Sequence, residues 1–230
     1  MNRKEVFRRK ETKYLISKEQ YQELMKYIEK HIEKDEYYKS TICNIYFDNE
    51  NNDLIIKSID KPTYKEKVRL RSYKIPSLED KVYLEIKRKY NGIVSKRRIY
   101  LKLKEYYDYI DTGTLPGNDI QVEKEIDYCF KRYNLKPKIY LAYDRLSYYS
   151  KEDRNFRVTF DTNIRSRKDD LRLEQGDAGK LFFKDNEYIV METKELGAYP
   201  IWFTNALSSL KIYPQSFSKY GKIYISTKIS

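Results

Sequence analysis

Basic side chains recur at every second position in one segment of the chain. Lys65, Lys67, Arg69 and Arg71 stand two residues apart, and residues two apart on a β-strand point to the same face. Ammonium and guanidinium groups carry several hydrogen-bond donors and suit phosphate oxygens. A strand with this spacing would present a row of phosphate-binding cations. We expect Arg69 and Arg71 to project away from the core, so that removing them would leave the fold intact.

The same one-sided pattern is found in other segments, where charged or polar positions alternate with apolar ones. These positions are Arg9, Glu11 and Lys13; Glu85, Lys87 and Lys89; Lys96 and Arg98; Arg157, Thr159 and Asp161; and Glu192 and Lys194. A solvent-facing side explains any single strand of this kind. Like charges on neighbouring strands repel one another, however, so the whole set predicts an anion bound at this face.

The predicted fold is α+β and consists of a closed antiparallel β-barrel with helices packed outside. Closing the sheet with its basic side inward would give a wet lumen rich in Lys and Arg, and the helices would cover the apolar side. Such a tunnel suits a linear chain of phosphates. A chain of 230 residues is long enough for one large core, so we predict a single domain over residues 1–230.

Hydrophobic periodicity and turn residues give the order of the elements. Strands are predicted at 8–16, 39–47, 63–73, 81–90, 93–101, 138–149, 156–164, 170–174 and 187–195. Helices are predicted from the N-cap Ser17 to about His31, at 53–58, 102–110 and 120–133, and after Pro200 with a break near Pro214. Asn91-Gly92 indicates a hairpin turn, and residues 113–118 indicate a loop.

Glutamates lie on the same faces as the cations. Glu11, Glu85 and Glu192 are hard oxygen ligands for Mg²⁺ or Mn²⁺ that bridges phosphates. For each of them the alternative is an ordinary ion pair with a neighbouring Lys or Arg. The mixture of Glu and Lys favours metal-assisted phosphate chemistry over binding of a nucleic acid, where these carboxylates would be unfavourable.

The composition excludes several classes of site. The formal net charge is +12, from 47 Lys and Arg against 35 Asp and Glu, which suggests a polyanionic partner, although a basic composition explains it equally well. Cys43 and Cys129 form no metal-binding motif, and His31 is the only histidine, so zinc and Ser-His-Asp chemistry are excluded. Unpaired cysteines, and the lack of an apolar run that could span a bilayer, predict a cytoplasmic protein.

Short segments in a fixed order resemble the VTC domain family, the polyphosphate-polymerase branch of the triphosphate tunnel metalloenzymes. The segments are Arg9-Lys10-Glu11-Thr12-Lys13-Tyr14, Ile45-Tyr46-Phe47-Asp48, Val68-Arg69-Leu70-Arg71, Leu84-Glu85-Ile86-Lys87, Val94-Ser95-Lys96-Arg97-Arg98, Tyr143-Asp144-Arg145, Arg157-Val158-Thr159-Phe160-Asp161, Met191-Glu192-Thr193-Lys194 and Phe217-Ser218-Lys219-Tyr220. The wider superfamily begins with Glu-x-Glu-x-Lys, whereas Arg9 stands first here. This departure fits the polymerase branch better than a hydrolase or a cyclase.

The resemblance implies roles for particular residues. The residues implied to contact phosphates are Lys13, Arg69, Arg71, Lys87, Lys96, Arg145, Arg157 and Lys219. Glu192 is implied to hold a divalent metal, Mn²⁺ or Mg²⁺, with Glu11 and Glu85 as further candidates. Those predicted to hold the nucleotide are Lys13, Arg69, Arg71, Lys87 and Lys194.

The resemblance implies transfer of the γ-phosphoryl group of ATP or another nucleoside triphosphate to a growing polyphosphate chain. Positioning and charge neutralisation supply nearly all the catalysis in such a reaction. Nucleic acid is not an expected partner, and a membrane protein partner is left open. The alternatives are a metal-dependent triphosphatase of the same fold and a non-catalytic module that binds polyphosphate or nucleic acid.

Overall fold

The computed structural model describes residues 10–60, 63–91, 93–117, 119–184 and 187–229. Arg9, Gly92 and Asn118, on which the first-strand motif, the hairpin turn and a loop were predicted, lie outside the described residues. The strands are β1 (Lys10–Ser17), β2 (Ile32–Asp48), β3 (Tyr64–Ser72), β4 (Lys81–Tyr90), β5 (Ile93–Lys102), β6 (Lys136–Ser150), β7 (Arg157–Arg167), β8 (Lys180–Leu181) and β9 (Tyr188–Glu195). The helices are α1 (Lys18–Ile28), α2 (Asp53–Ile59), α3 (Leu103–Thr112), α4 (Ile120–Tyr133), α5 (Ile201–Ser209) and α6 (Lys219–Ile229).

The architecture is a mixed fold with an antiparallel sheet. Hydrogen bonds connect eight strands in the order β1-β9-β7-β6-β2-β3-β4-β5, and β8 pairs with β7. Among the described residues no hydrogen-bond ladder joins β1 to β5, so the predicted closure into a barrel is not confirmed. No helix in this part of the chain is long and apolar enough to cross a bilayer.

Contacts group the chain into two compact units. The first unit contains the described residues of Met1–Ser40, Asp144–Asn163 and Phe183–Phe217. The second unit contains Thr41–Tyr143, Ile164–Phe182 and Ser218–Ser230, again as far as they are described. Strands β2, β6 and β7 each contribute residues to both units.

The first unit pairs β1 with β9 and β9 with β7, in antiparallel register. Ser17 begins α1 with a capping box, because its side chain accepts from the Gln20 amide while the Gln20 side chain accepts from the Ser17 amide. Helices α1 and α5 pack against each other. The core of this unit includes Tyr14, Ile16, Leu24, Ile28, Phe156, Phe160, Met191 and Phe203. One face of each strand therefore contributes to this core, and the charged side chains lie on the other face.

The second unit contains the predicted meander, in which β2, β3, β4 and β5 pair in sequence order. Its core combines the apolar face of this meander with α3 and α4, and includes Ile45, Phe47, Val68, Leu70, Leu84, Ile99, Tyr106 and Ile126. Glu66 is buried on this apolar side, where Arg88 and Tyr133 each donate to its carboxylate at 2.7 Å. The ion pair compensates the buried charge.

One predicted strand is wrong. Residues 170–174 form no strand, and the two-residue β8 pairs with β7 in their place. The Arg167 guanidinium donates to the carbonyls of Asp170, Arg172, Gly176 and Ala178. Asp170 and Gly176 also adopt positive φ angles of 48° and 82°. This side chain therefore satisfies the carbonyls that a strand ladder would have used.

Candidate functional site

The antiparallel register aligns the charged positions of the second unit into three rows across the sheet. We name them the lysine row (Lys67, Lys87 and Lys96), the arginine row (Tyr46, Arg69, Glu85 and Arg98) and the tyrosine row (Asn44, Arg71, Tyr83 and Tyr100). Members of a row are Cα partners on adjacent strands, and successive rows are two residues apart along each strand. All three rows therefore lie on the face opposite the buried core.

Glu85 is the anion at the centre of this face. It is 1% exposed, and its carboxylate lies 2.7 Å from Arg69, 3.9 Å from Arg98 and 4.0 Å from Arg71, and also contacts Lys96. Burial raises the pKa of Glu85, but Arg69, Arg71 and Lys96 outweigh burial and lower it to about 2. Glu85 is therefore ionised and holds the surrounding cations in place.

Arg71 is anchored more deeply than the sequence predicted. It is 7% exposed, its Nε donates to Asn44 Oδ1 at 2.9 Å, and its Nη2 donates to the Tyr143 hydroxyl at 3.3 Å. Asn44 in turn donates to the Leu141 carbonyl at 3.0 Å. The expectation that Arg69 and Arg71 make no contact with buried groups is wrong, because Arg69 pairs with the buried Glu85 and because Asn44 and Tyr143 fix Arg71 within the second unit.

Helix α6 begins beside these rows. Ser218, which precedes it, accepts from Lys67 Nζ at 2.8 Å, and Lys219 Nζ lies 4.6 Å from the centre of the Tyr143 ring. Lys219 therefore lies near Arg71, since both contact Tyr143. Of the predicted phosphate ligands, the structure brings Arg69, Arg71 and Lys96 together around Glu85. It places Lys87 in the adjacent lysine row and Lys219, the first residue of α6, beside Tyr143 of β6.

Tyr46 is a site residue that the sequence analysis did not select. Its hydroxyl accepts from Arg69 Nη1 at 3.2 Å, and its ring packs against Tyr220 with centroids 4.8 Å apart. Burial raises the pKa of Tyr46, but the charges of Arg69, Arg71 and Lys67 lower it to about 8. The signal in the sequence was the alternation along β2, which places Tyr46 and Asn44 on the face opposite Ile45 and Phe47.

We predict that Tyr46→Phe changes the pH dependence of anion binding. Above about pH 8 the Tyr46 hydroxyl of the native protein ionises and repels a bound anion, so affinity falls by at most about tenfold per pH unit. The phenylalanine variant lacks this step. Lys96, whose pKa is lowered mainly by burial, is present in both proteins and cannot produce a difference between them. The measurement is the Kd of a short polyphosphate between about pH 7 and 9. An unchanged alkaline loss in Tyr46→Phe would contradict the prediction.

The first unit holds a second charged cluster, centred on Glu192 of β9. The Glu192 carboxylate lies 3.3 Å from Lys13 Nζ and 3.2 Å from Arg145 Nη2. Arg145 also makes a bidentate pair with the fully buried Asp161, at 2.6 and 2.7 Å. This second pair fixes the guanidinium from behind, so Arg145 is oriented whether or not Glu192 is charged.

Glu11 extends this cluster along β1. Its carboxylate lies 3.6 Å from Lys13 Nζ and 3.8 Å from Lys194 Nζ. Arg157 is the Cα partner of Lys194 on β7, and its side chain pairs with Asp35 at 3.3 Å. The first unit therefore contains the predicted residues Lys13, Arg145, Arg157 and Lys194 together with two of the three predicted metal ligands.

The carboxylates differ in how well they suit a metal. In the described ranges no three His, Cys, Asp or Glu side chains form a group that could hold a metal by themselves. Mg²⁺ typically takes one or two carboxylates and completes its shell with water and substrate phosphates. Glu192 and Glu11 converge on Lys13 and suit that arrangement. Glu85 suits an ion pair better, because the cations around it would repel a metal ion.

Two solved structures have a similar fold. A candidate adenylate cyclase from Bacillus halodurans is 15% identical to this chain with a TM-score of 0.54, and the match covers 90% of this chain and 92% of that one. A candidate adenylate cyclase from Vibrio parahaemolyticus is 8% identical with a TM-score of 0.52, with coverage of 94% and 97%. These identities show the fold alone. Among protein families, the VTC domain matches residues 8–227.

Proposed function

This chain belongs to the VTC domain family, and we propose that it transfers the γ-phosphoryl group of a nucleoside triphosphate to the end of a polyphosphate chain. The observation that supports this most is the cluster of four cations, Arg69, Arg71, Lys96 and Arg98, around the buried carboxylate of Glu85. Cations held in fixed positions bind phosphate oxygens without a cost of reorganisation. The names of the two fold relatives, candidate adenylate cyclases, agree with an enzyme that handles phosphates.

The transfer needs no nucleophile from the protein. A terminal oxygen of the polyphosphate attacks the γ-phosphorus, the bond from that phosphorus to the β–γ bridging oxygen breaks, and its electron pair leaves with the nucleoside diphosphate. The attacking oxygen is already anionic, so no general base is required. Lys67, Lys87 and Lys96 bind equatorial phosphate oxygens, and Arg69 supplies a planar pair of donors.

Divalent metals are generally used in this family, and the first unit is where this chain would hold one. Glu192, with Glu11, would supply the carboxylate oxygens, either for Mn²⁺ or for Mg²⁺. A bound metal ion would neutralise charge on the reacting phosphates. Lys13 and Arg145 hold the Glu192 side chain in position. Lys13, which contacts both glutamates, also suits an additional phosphate contact.

The closed barrel and the single domain expected from the sequence stay predictions. The proposed partners are a nucleoside triphosphate and polyphosphate, and nucleic acid is not among them because carboxylates interrupt the basic faces. A cytoplasmic location stays a prediction. It is supported by Cys43 and Cys129, which are both buried and unpaired.

Product length tests the proposal. Purified protein is incubated with ATP and Mn²⁺, and the products are separated on a polyacrylamide gel. We expect a ladder of polyphosphates together with nucleoside diphosphate. Orthophosphate without a ladder would indicate the alternative triphosphatase, in which water is the nucleophile. Salt-sensitive binding without any consumption of ATP would indicate a non-catalytic module.

A further inference from the structure

Aromatic side chains continue the charged face of the second unit beyond the arginine row. Tyr83 and Tyr100 are Cα partners in the tyrosine row, and Tyr73 makes an edge-to-face contact with Tyr83, with ring centroids 5.5 Å apart. Tyr73 is 41% exposed and Tyr100 is 52% exposed. We call Tyr73, Tyr83 and Tyr100 the aromatic rim.

Arg98 connects the aromatic rim to the arginine row. Its guanidinium lies 4.8 Å from the centre of the Tyr83 ring, and its Nη1 lies 3.9 Å from the Glu85 carboxylate. Lys81 Nζ lies 4.2 Å from the centre of the Tyr100 ring. The rim therefore presents rings and a planar cation side by side, immediately next to residues suited to phosphate.

Packing does not account for the position of these rings. The core of β4 and β5 is made by the opposite face, where Leu84 and Ile99 are buried. Exposed rings beside a guanidinium plane are the surface on which proteins stack unpaired nucleobases. Tyr83 and Tyr100 lie one two-residue step from the arginine row, about 7 Å along the strand.

We propose that the aromatic rim binds the nucleobase of the nucleoside triphosphate donor while the arginine and lysine rows bind its phosphates. This inference rests on the proposed function, because it assumes a nucleotide donor. Stacking on rings and on a guanidinium tolerates any base, since every base has a π face. The rim would therefore raise affinity for nucleotides over inorganic phosphates without strong selection among the bases.

Isothermal titration of Tyr100→Ala tests the rim with two probes, a non-hydrolysable β,γ-imido analogue of ATP and inorganic triphosphate, both with Mg²⁺. We expect the Kd of the ATP analogue to rise about tenfold or more, the usual loss for one base–aromatic stack. The Kd of inorganic triphosphate should change less than about twofold, because the phosphate-binding rows are intact. Tyr100→Phe should keep the affinity of the native protein for both probes.

Tyr90→Ala is the matched control. Tyr90 is 58% exposed on β4 but lies on the face opposite the rim, so its removal should change neither affinity. Equal losses of affinity for both probes in Tyr100→Ala would contradict nucleobase binding by the aromatic rim. Unchanged binding of the ATP analogue in the Tyr73→Ala, Tyr100→Ala double variant would contradict it as well. The result of the gel assay is independent of this test. A selective loss of nucleotide affinity in Tyr100→Ala supports nucleobase binding by the aromatic rim even if the native protein makes no polymer.

Discussion

Glu192→Gln is expected to lower the rate of phosphoryl transfer by roughly a hundredfold or more, while polyphosphate still binds. Glutamine keeps the size of the side chain and removes its charge. Without that charge the first unit loses its best-placed carboxylate for a divalent metal, whereas the rows of the second unit are unchanged. Binding of phosphate is expected to stay equal or to become tighter, because one repulsive anion is gone.

The same substitution should leave the fold intact. Arg145 keeps its bidentate pair with Asp161, and Lys13 keeps Glu11 at 3.6 Å. The buried guanidinium is therefore not left without a counter-ion, which is the situation that destabilises strongly. Thermal unfolding should show a change of no more than a few degrees, so a loss of turnover can be attributed to the site.

Glu36→Gln is the matched control, because Glu36 is an exposed glutamate of β2 in the same unit. It should leave both the rate and the metal dependence as in the native protein. The assay follows chain length as well as nucleotide consumption, since a triphosphatase would lose activity too. Polymer synthesis at the native rate by Glu192→Gln would contradict a role for this carboxylate in holding the metal.

The sequence predicts the elements well wherever local periodicity and turn chemistry decide them. The bounds of α4 and β4 agree with the predicted 120–133 and 81–90, and Ser17 caps α1 as expected. The predicted strand at 170–174 fails because the Arg167 side chain binds the carbonyls of that loop. Alternation within a segment cannot predict that a side chain from another segment will bind its backbone carbonyls.

The charged faces were predictable from alternation, but the contacts within them were not. The two-residue spacing along each strand places Arg69, Glu85 and Lys96 on the charged faces. The contact of Arg69 and Lys96 with the Glu85 carboxylate depends on the strand register. The same spacing also places Tyr46 and Tyr83 on the charged faces. They were missed because tyrosine suits both a core and a binding face. The burial of Arg71 depends on Asn44 and Tyr143, from two other strands, and could not be predicted from β3 alone.

Arg69→Ala should abolish tight binding of polyphosphate and also destabilise the protein. Glu85 is 1% exposed and loses a partner at 2.7 Å. Leaving a buried carboxylate with fewer counter-ions costs up to about 3 kcal/mol here, since Arg71, Lys96 and Arg98 remain. In a protein of this size that corresponds to a fall in Tm of up to roughly 6–12 °C. The loss of binding therefore has to be separated from the loss of stability.

Adding Glu85→Gln to Arg69→Ala makes that separation. The double variant no longer buries the Glu85 carboxylate, but the buried Arg71 guanidinium loses an anion at 4.0 Å and keeps only neutral partners in Asn44 and Tyr143. Part of the lost stability should therefore return, while polyphosphate binding stays weak. The lowered pKa of Glu85 also predicts how the stability of the protein depends on pH. Its ion pairs stabilise the native protein above about pH 4 and are lost as the pH falls towards 2, so Glu85→Gln should flatten this part of the acid-stability curve.

Arg88→Ala is the matched control, because Arg88 pairs with the buried Glu66 at 2.7 Å on the opposite face of the same strands. It should lower the Tm comparably but leave the Kd of a short polyphosphate within about twofold of the native value, since it removes a counter-ion and no phosphate ligand. If Arg88→Ala loses binding as fully as Arg69→Ala, the loss reflects a weakened fold. If the folded double variant of Arg69 and Glu85 binds polyphosphate as tightly as the native protein, the arginine row is not where the phosphates bind.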